Sequence, residues 1–327
     1  MTEDPTMSIE DASANSYKLI TEVSNTVLGK RYVLEMVMIA ILSNGNVLFE
    51  DYPGLAKTLM ANTFARALGC KFKRIQFTPD LLPSDITGTY VFNPKDVSFE
   101  FHPGPIFTNI LLADEINRAP PKTQAALLEA MQEGQVTIEG RTITISQPFI
   151  VFATQNPIEY EGTYPLPEAQ LDRFIMKLSV GYPDEEVERQ ILINRYNRKE
   201  DDVPVETITN AEMVTHMQRA MEEVYVDPRV IQYIVSIVQM TRQDPRVQVG
   251  ASPRGSQAVF KLSRGVAVLS GRNYVIPDDV KHVVIPALKH RLILKPEPRI
   301  RGIRAEDILA EILNTIPVPT SAEQPTL

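Results

Sequence analysis

The sequence of 327 residues predicts an α/β fold, in which a parallel sheet core with two inserted β-hairpins is followed by a small all-α domain. Residues 46–50 form a short apolar run, and a turn and a helical pattern from residue 57 follow it. Residues 108–113 form the kind of apolar run that is expected of a strand buried on both faces. After residue 183 strand patterns stop and helical spacing dominates, so we expect a domain boundary there.

Each element is predicted from its hydrophobic spacing, and the turns from their Gly, Pro, Asn and Asp residues. In chain order we expect helices at residues 16–27, 31–43, 57–68, 120–133, 184–196, 210–222, 228–241, 253–270 and 277–289. We expect sheet strands at residues 46–50, 72–77, 110–113, 149–154 and 175–178. The two hairpins are expected at residues 89–101 and 135–146.

The ends of the chain have little apolar content, which predicts disordered tails at residues 1–14 and 317–327. The predicted sheet domain therefore covers residues 15–183 and the helical domain residues 184–316. The N-terminus is acidic and polar, and the longest apolar run, residues 33–42, is too short to span a bilayer. Cys70 is the single cysteine, which excludes an internal disulfide framework. We therefore expect a soluble, cytoplasmic protein.

The net charge is −8 and the pI is about 5.2, which argues against general affinity for nucleic acid. A local basic patch at residues 281–295 stays open, although the solvated face of a helix is the favoured explanation. The four histidines, His102, His216, His282 and His290, lack the spacing and the cysteine partners of a zinc site. No Gly-x-Ser-x-Gly nucleophile turn is present.

Lys57 and Thr58 begin a predicted helix directly after a strand and a turn. The positive end of a helix dipole repels a cation, so lysine is unfavourable there unless an anion is bound. A phosphate would be cradled by backbone N–H groups and neutralised by Lys57, and the Thr58 hydroxyl could hold a magnesium ion. The alternative is an ordinary strand–turn–helix joint.

Polar residues follow two of the predicted strands. Asp114 and Glu115 follow the strand at 110–113, where Asp114 could hold magnesium and Glu115 could polarise a water molecule. The alternative is a solvated strand end. Asn156 follows the strand at 149–154, and a turn residue before Pro157 is its alternative.

The order of five blocks resembles the AAA+ ATPase superfamily, and more closely the MoxR family, over about residues 15–316. Three of the blocks begin at Tyr52, Arg74 and Asp114, and read Tyr-Pro-Gly-Leu-Ala-Lys-Thr, Arg-Ile-Gln-Phe-Thr-Pro-Asp-Leu-Leu-Pro-Ser-Asp and Asp-Glu-Ile-Asn-Arg-Ala. The other two are Ala-Thr-Gln-Asn-Pro from Ala153 and Leu-Asp-Arg-Phe from Leu171.

The resemblance implies an AAA+ P-loop sheet core and a helical lid, with ATP and Mg²⁺ bound between them and the site completed by a neighbour in a ring, usually a hexamer. It implies that Asn156 senses the terminal phosphate, that Arg173 is an arginine finger, and that Arg254 is the lid arginine that contacts the phosphates. Arg254 is also expected in the first turn of a helix capped by Ser252, where the positive end of the helix dipole disfavours a cation. A nearby anion would explain an arginine there, and a surface salt bridge is the alternative explanation. The residues expected to bind the nucleotide are Leu28, Gly29, Pro53, Gly54, Leu55, Ala56, Lys57, Thr58 and Leu59.

One residue departs from the family pattern Gly-x-Pro-Gly-x-Ala-Lys-Thr. Asp51 replaces its first glycine. A carboxylate near a phosphate is unfavourable by roughly 4 kcal/mol at 4 Å and an effective dielectric near 20. We therefore hypothesise that Asp51 weakens nucleotide binding.

Two functions from different classes follow. The first is an ATP-hydrolysing, chaperone-like remodeller of client proteins or complexes, with the two hairpins as candidates for client contact. The resemblance implies partners with von Willebrand factor A domains. The second is a nucleotide-gated scaffold with little turnover, which Asp51 motivates. A DNA-processing motor is disfavoured by the acidic charge.

Overall fold

The computed structural model describes residues 7–157 and 163–319. Thirteen α-helices lie in these ranges, at α1 Ile9–Thr26, α2 Arg31–Leu42, α3 Lys57–Ala67, α4 Pro83–Thr87, α5 Pro121–Glu133, α6 Glu168–Leu171, α7 Glu185–Arg198, α8 Ala211–Glu222, α9 Pro228–Gln243, α10 Pro253–Leu269, α11 Pro277–Leu288, α12 Pro296–Ile300 and α13 Ala305–Thr315.

Eleven strands are present in the same ranges. They are β1 Val47–Glu50, β2 Phe72–Gln76, β3 Gly88–Asn93, β4 Ser98–Pro103, β5 Ile110–Asp114, β6 Gln135–Ile138, β7 Arg141–Thr144, β8 Ile150–Gln155, β9 Met176–Leu178, β10 Val247–Val249 and β11 Ile293–Leu294. Two 3₁₀ turns cover Ile116–Arg118 and Lys289–Arg291.

The central sheet has five parallel strands in the order β2-β5-β8-β1-β9. Its register aligns the carboxyl ends, because Gln76 pairs with Asp114 and Glu50 pairs with Gln155. The residues that follow β1, β5 and β8 therefore meet at one edge of the sheet, where ligands of open α/β sheets bind. The predicted α/β fold with a parallel sheet is confirmed.

The three central strands, β1, β5 and β8, are buried on both faces, as their near-continuous apolar sequences predict. Alternate residues of these strands enter two different clusters of the core, because successive side chains point to opposite faces. Leu48, Leu111 and Val151 lie in one cluster. Phe49 and Phe152 lie in the other, with their rings edge to face at 6.1 Å. This second cluster continues through α1 and α2 into α8–α11.

Both predicted hairpins are confirmed. β3 and β4 pair antiparallel from Gly88–Pro103 to Asn93–Ser98, and β6 and β7 pair antiparallel around Glu139-Gly140. The first hairpin exposes apolar side chains, among them Phe92 and Phe99, whose rings are 5.5 Å apart.

Two details of the sequence prediction are wrong. Residues 9–14 are helical instead of disordered, because Ser8 caps α1 through the backbone N–H of Asp11 at 3.0 Å and Ala12 is fully buried. Residues 1–6 and 320–327 of the predicted tails lie outside the described residues. Strands also do not stop at residue 183, since β10 and β11 form a small antiparallel ladder. These strands could not be predicted from hydrophobic alternation, because β10 has only three residues and β11 only two.

The helices that follow β9 begin at Glu185, close to the predicted boundary at residue 183, and the division into two domains stays a prediction. One further helix, α13, was not predicted from the sequence, and its Ile308, Leu309 and Ile312 are buried. Within residues 7–157 and 163–319, none of the helices combines the length and the apolarity that crossing a membrane requires.

Candidate functional site

The loop between β1 and α3 ends in an uncapped helix start. Ala56 directly precedes the helix with a left-handed φ of 57°, and Gly54 has a φ of 85°. A Cβ on Gly54 would meet nothing within 4 Å, so there is open space beside the loop. No side chain of the described residues caps α3. Its first N–H groups therefore remain available to an anion.

Lys57 is the buried cation of this loop. It is 8% exposed, and its Nζ donates hydrogen bonds to the backbone oxygens of Asp51 and Tyr52 at 3.0 and 2.8 Å. Burial lowers the pKa of Lys57, while the charges of Asp51, Asp114 and Glu115 act in the opposite direction. A bound phosphate would offer this ammonium group a much stronger acceptor than two neutral carbonyls.

Asp114 lies at the end of β5 and is held from both sides. Thr154 donates its hydroxyl to Oδ1 at 2.6 Å. Arg74, from the neighbouring strand β2, donates from Nη2 and Nε to Oδ2 at 2.6 and 3.2 Å. Asp114 is therefore already paired with a cation in this structure.

Glu115 follows with a left-handed φ of 56°, an uncommon conformation for a residue with a side chain. Its backbone N–H donates to the Thr154 hydroxyl at 2.8 Å, which fixes the turn. Its Oε2 accepts hydrogen bonds from Gln76 at 3.0 Å and from Arg118 at 2.8 Å. One donor from β2 and one from the following 3₁₀ turn thus fix the position of the carboxylate.

A cavity of about 420 Å³ lies between the loop and these strand ends. This volume is within the range of small-molecule sites. Ten of the sequence-predicted site residues line it, namely Pro53, Gly54, Leu55, Ala56, Lys57, Thr58, Leu59, Asp114, Glu115 and Asn156.

Arg173 and Arg254 line a second cavity, of about 370 Å³. Residues 43–46, which precede β1, line this cavity, whereas residues 51–59, which follow β1, line the first one. The four residues of β1 at about 3.3 Å each separate the two by on the order of 13 Å. Arg254 therefore does not line the cavity beside Lys57 of the same chain, and its contact with phosphates stays a prediction.

The contacts of Asp172 explain where Arg254 lies. Ser252 caps α10 as predicted, and its hydroxyl donates to Asp172 Oδ2 at 2.9 Å. Arg291 donates to Asp172 Oδ1 at 2.7 Å. These bonds tie the start of α10 to the segment that carries Arg173.

The second cavity is strongly basic. The lining residues that the structure describes include four cations, Arg173, Arg254, Lys261 and Arg291, and one carboxylate, Asp172. Arg173 Nε is buried and has no hydrogen-bond partner within the described part of the chain. This surface could receive an anion from another molecule.

Leu28 and Gly29 lie in the turn between α1 and α2 and do not line the first cavity. Gly29 has a φ of 68°, and a Cβ there would approach the side chain of Val187 on α7 to 2.6 Å. The following residue, Lys30, donates from Nζ to the backbone oxygen of Tyr182 at 2.9 Å. Nucleotide binding by Leu28 and Gly29 stays a prediction.

Asp51 does not adopt the left-handed conformation that a glycine at this position would favour. Its carboxylate is buried and accepts hydrogen bonds from Ser179, Val180 and Gly181. The repulsion that the sequence suggested assumed a carboxylate aimed at the phosphate, and these contacts aim it at residues 179–181 instead.

Four residues that line the first cavity were not predicted as site residues: Arg74, Gln76, Thr154 and Gln155. Thr154 is the one hydroxyl residue in an otherwise apolar stretch of β8, which is a usable signal in the sequence. Arg74 and Gln76 alternate with apolar residues in β2. Their role depends on the pairing of β2 with β5, which the sequence does not reveal.

Comparison with known proteins gives two family matches. Residues 46–176 match the ATPase family associated with various cellular activities (AAA). Residues 239–312 match the AAA lid domain.

Individual relatives cover almost the whole chain. The chain is 50% identical to the uncharacterized protein YeaC of Bacillus subtilis over 92% of this chain and 94% of that protein. It is 42% identical to the chaperone MoxR1 of Mycobacterium tuberculosis over 92% of this chain and 82% of that protein. A crystal structure from Cytophaga hutchinsonii matches with a TM-score of 0.88 and 39% identity, covering 94% of this chain and 96% of that one.

Proposed function

The chain belongs to the MoxR family of AAA+ ATPases, and from that premise we propose that it binds and hydrolyses ATP to remodel or mature client proteins. One observation carries the proposal. A single cavity brings together the uncapped helix start, Lys57, Thr58 and the two carboxylates of Asp114 and Glu115. These are the parts that phosphoryl transfer from ATP requires.

The residues beside Lys57 fit a magnesium ion bound together with phosphates. Mg²⁺ prefers hard oxygen ligands and is usually held by one or two carboxylates, waters and substrate phosphates. Thr58 and Asp114 supply a hydroxyl and a carboxylate, and no cluster of three acidic, His or Cys side chains exists among the described residues to hold a metal alone. When bound, the ion would neutralise charge on the phosphates.

Glu115 is the proposed residue that orients the attacking water, and Asn156 the one that contacts the terminal phosphate. In this structure Gln76 and Arg118 hold the Glu115 carboxylate. Both bonds go to Oε2, so the carboxylate can accept a hydrogen bond from water through Oε1 while these donors hold it in place.

Arg173 and Arg254 are proposed to act on the site of a neighbouring subunit. Support comes from their common cavity, which is distant from Lys57 of the same chain, and from its excess of positive charge. A second copy that presents its nucleotide to this surface would find two guanidinium groups together. A ring, with a hexamer as the expected size, would repeat this contact at each interface.

We propose one surface for contact with a client protein. The exposed apolar hairpin at β3 and β4 is our candidate for client contact, since Phe92 and Phe99 are 48% and 67% exposed. A relative is named a chaperone, which agrees with a remodelling role. A von Willebrand factor A domain as partner, a cytoplasmic location and the absence of nucleic-acid binding stay predictions from the sequence.

The scaffold alternative depended on Asp51 facing the phosphate. Three donors hold this carboxylate towards residues 179–181, so the argument for weak turnover from repulsion of the phosphate loses support. Hydrolysis is the better supported function.

A steady-state ATPase assay against protein concentration, with sizing of the species present, tests the proposal. We expect activity to rise steeply on assembly, and Glu115→Gln to lower the rate at least about 100-fold, as expected for loss of the residue that positions water. Glu129→Gln, at an exposed position of α5, is the matched control. Absence of turnover in the wild type, with Glu115→Gln indistinguishable from it, would favour the scaffold.

A further inference from the structure

The phosphate loop begins with a buried acid whose hydrogen bonds leave the loop. Asp51 is 6% exposed. Its Oδ1 accepts from the Ser179 hydroxyl at 2.6 Å and from the Gly181 N–H at 3.2 Å. Its Oδ2 accepts from the Val180 N–H at 2.7 Å. A buried carboxylate with three donors is fully compensated, and it holds those donors in fixed positions.

The three donors belong to the segment that joins the sheet to the helices. Residues 179–181 directly follow β9, and Asp184 caps α7 three residues later. Gly181 has a φ of 65°, so the chain turns sharply at this point. A residue that fixes this segment also influences the direction in which α7 leaves the sheet.

The backbone of the same loop residue binds the lysine of the site. Lys57 Nζ donates to the Asp51 carbonyl at 3.0 Å and to the adjacent Tyr52 carbonyl at 2.8 Å. The rings of Tyr52 and Tyr182 stack with centroids 6.4 Å apart. Lys57 and residues 179–182 are thus connected through Asp51 and Tyr52.

We propose that Asp51 is a positioning residue, which holds the phosphate loop in its binding geometry and transmits the occupancy of the site to residues 179–182. The inference depends on the proposed ATP binding. When a phosphate draws Lys57 away from the two carbonyls, the backbone at Asp51 is released on one side while its carboxylate remains attached on the other. The shift then reaches Val180 and Gly181.

This proposal reverses the hypothesis drawn from the sequence. A glycine at position 51 would remove a charge near the phosphates, but it would also leave three donors without their acceptor. The Val180 N–H is buried, so leaving it unsatisfied is strongly unfavourable, and the loop would relax to recover a partner for it. Asp51→Gly should therefore weaken nucleotide binding.

The variants Asp51→Gly and Asp51→Asn test this, with Ser179→Ala as the matched variant that removes one of the three bonds. Loss of charged hydrogen bonds predicts an MgATP Kd about tenfold higher for both Asp51 variants and at most about threefold higher for Ser179→Ala. KM should rise by the same factor, with kcat within about twofold of wild type. A merely destabilised protein would instead lose kcat, because fewer molecules are active, and keep its KM.

Hydrogen exchange can be measured on the wild type, even if the Asp51 variants do not fold. MgATP should change the exchange rates of the Val180 and Gly181 amides, and this change should disappear in Asp51→Asn. Equal or tighter MgATP binding by Asp51→Gly, or no effect of MgATP on these amides in a wild type that binds it, overturns the inference. A wild type that does not bind MgATP overturns the proposed function itself, which separates the two failures.

Discussion

Arg74 Nη2 lies 2.6 Å from Oδ2 of Asp114, the carboxylate proposed to hold magnesium. The guanidinium neutralises Asp114 from the neighbouring strand, so a metal ion must compete with it. Removing the arginine should favour the metal by about the value of a partly exposed ion pair, roughly 1 kcal/mol. We predict that Arg74→Ala lowers the Mg²⁺ concentration needed for half-maximal ATP binding by about fivefold.

Titration of Mg²⁺ at fixed ATP, followed by a fluorescent nucleotide, measures this. Arg118→Ala is the matched control, since Arg118 pairs with Glu115 instead of Asp114 and should leave the Mg²⁺ requirement unchanged. An unchanged or higher requirement in Arg74→Ala would show that this arginine serves the nucleotide and does not compete with the metal.

Arg173 and Lys57 are predicted to act on the same nucleotide from two subunits. Lys57→Ala should weaken ATP binding at least about 30-fold, because a charged donor to phosphate is lost. Arg173→Ala should abolish rapid hydrolysis, because the finger neutralises charge that develops on the transferred group. A 1:1 mixture of the two inactive variants should recover about a quarter of the wild-type rate, which is the fraction of sites that random assembly completes.

ATPase assays on the mixtures, made after dissociation and reassembly, measure this recovery. A mixture of Arg173→Ala with the double variant Lys57→Ala/Arg173→Ala supplies no intact finger and should stay inactive. If the first mixture is as inactive as the second, the two residues do not act across an interface.

Arg291 is expected to be a stability residue. Its side chain is 3% exposed and donates to Asp172 Oδ1, to the backbone oxygen of Asp172 and to that of Phe174. Arg291→Met removes all three bonds and takes away the buried cation that pairs with Asp172, so we predict a loss of about 3 kcal/mol in the free energy of unfolding. Urea unfolding followed by circular dichroism measures the change.

The control for this loss is an exposed pair. Arg301 bonds Glu297 one helical turn away, and both side chains are mostly exposed. Arg301→Met should change the free energy of unfolding by less than about 0.5 kcal/mol. Similar losses in the two variants would mean that burial of the Arg291 pair has no special importance.

His290 should make the fold sensitive to acid. Burial, assisted by the charge of Arg291, lowers its pKa well below 6.5, and its Nε2 lies 3.1 Å from the Phe174 oxygen. The unfolded chain therefore binds a proton near pH 6.5 that the folded chain does not bind, and stability falls as the pH drops below that value. His290→Gln should reduce the loss of unfolding free energy between pH 7.5 and 5.5 by about 1 kcal/mol.

Urea unfolding at the two pH values measures this difference. Carboxylates titrate mostly below pH 5 and are the same in both proteins, so they do not contribute to the difference between wild type and variant. An identical pH dependence in wild type and variant would show that His290 is protonated in the folded protein or that it does not titrate in this range.

Much of the sheet and of the phosphate loop was predictable from sequence, because local patterns decide them. Lys57 at a helix start, and carboxylates directly after a buried strand, are local features whose meaning follows from helix dipoles and sheet edges. Ser252 as the cap of α10 was found in the same way.

The remaining parts depend on contacts between distant segments. Arg74 reaches Asp114 because β2 and β5 are neighbours, and Asp51 binds residues 179–181 because β1 and β9 are neighbours. No short-range pattern reports either pairing. The position of Arg254 depends likewise on the bonds of Asp172 with Ser252 and Arg291, which the sequence does not show.

Calorimetric titration of MgATP into the Glu115→Gln protein, with and without Lys57→Ala, tests most directly whether the cavity beside Lys57 holds the nucleotide. Glu115→Gln prevents turnover during the titration while keeping the binding residues. We predict one site per subunit, and an affinity at least about 30-fold lower when Lys57 is removed, since a buried charged hydrogen-bond donor to phosphate is lost. Absence of binding heat, or equal affinity with and without Lys57, would contradict the account.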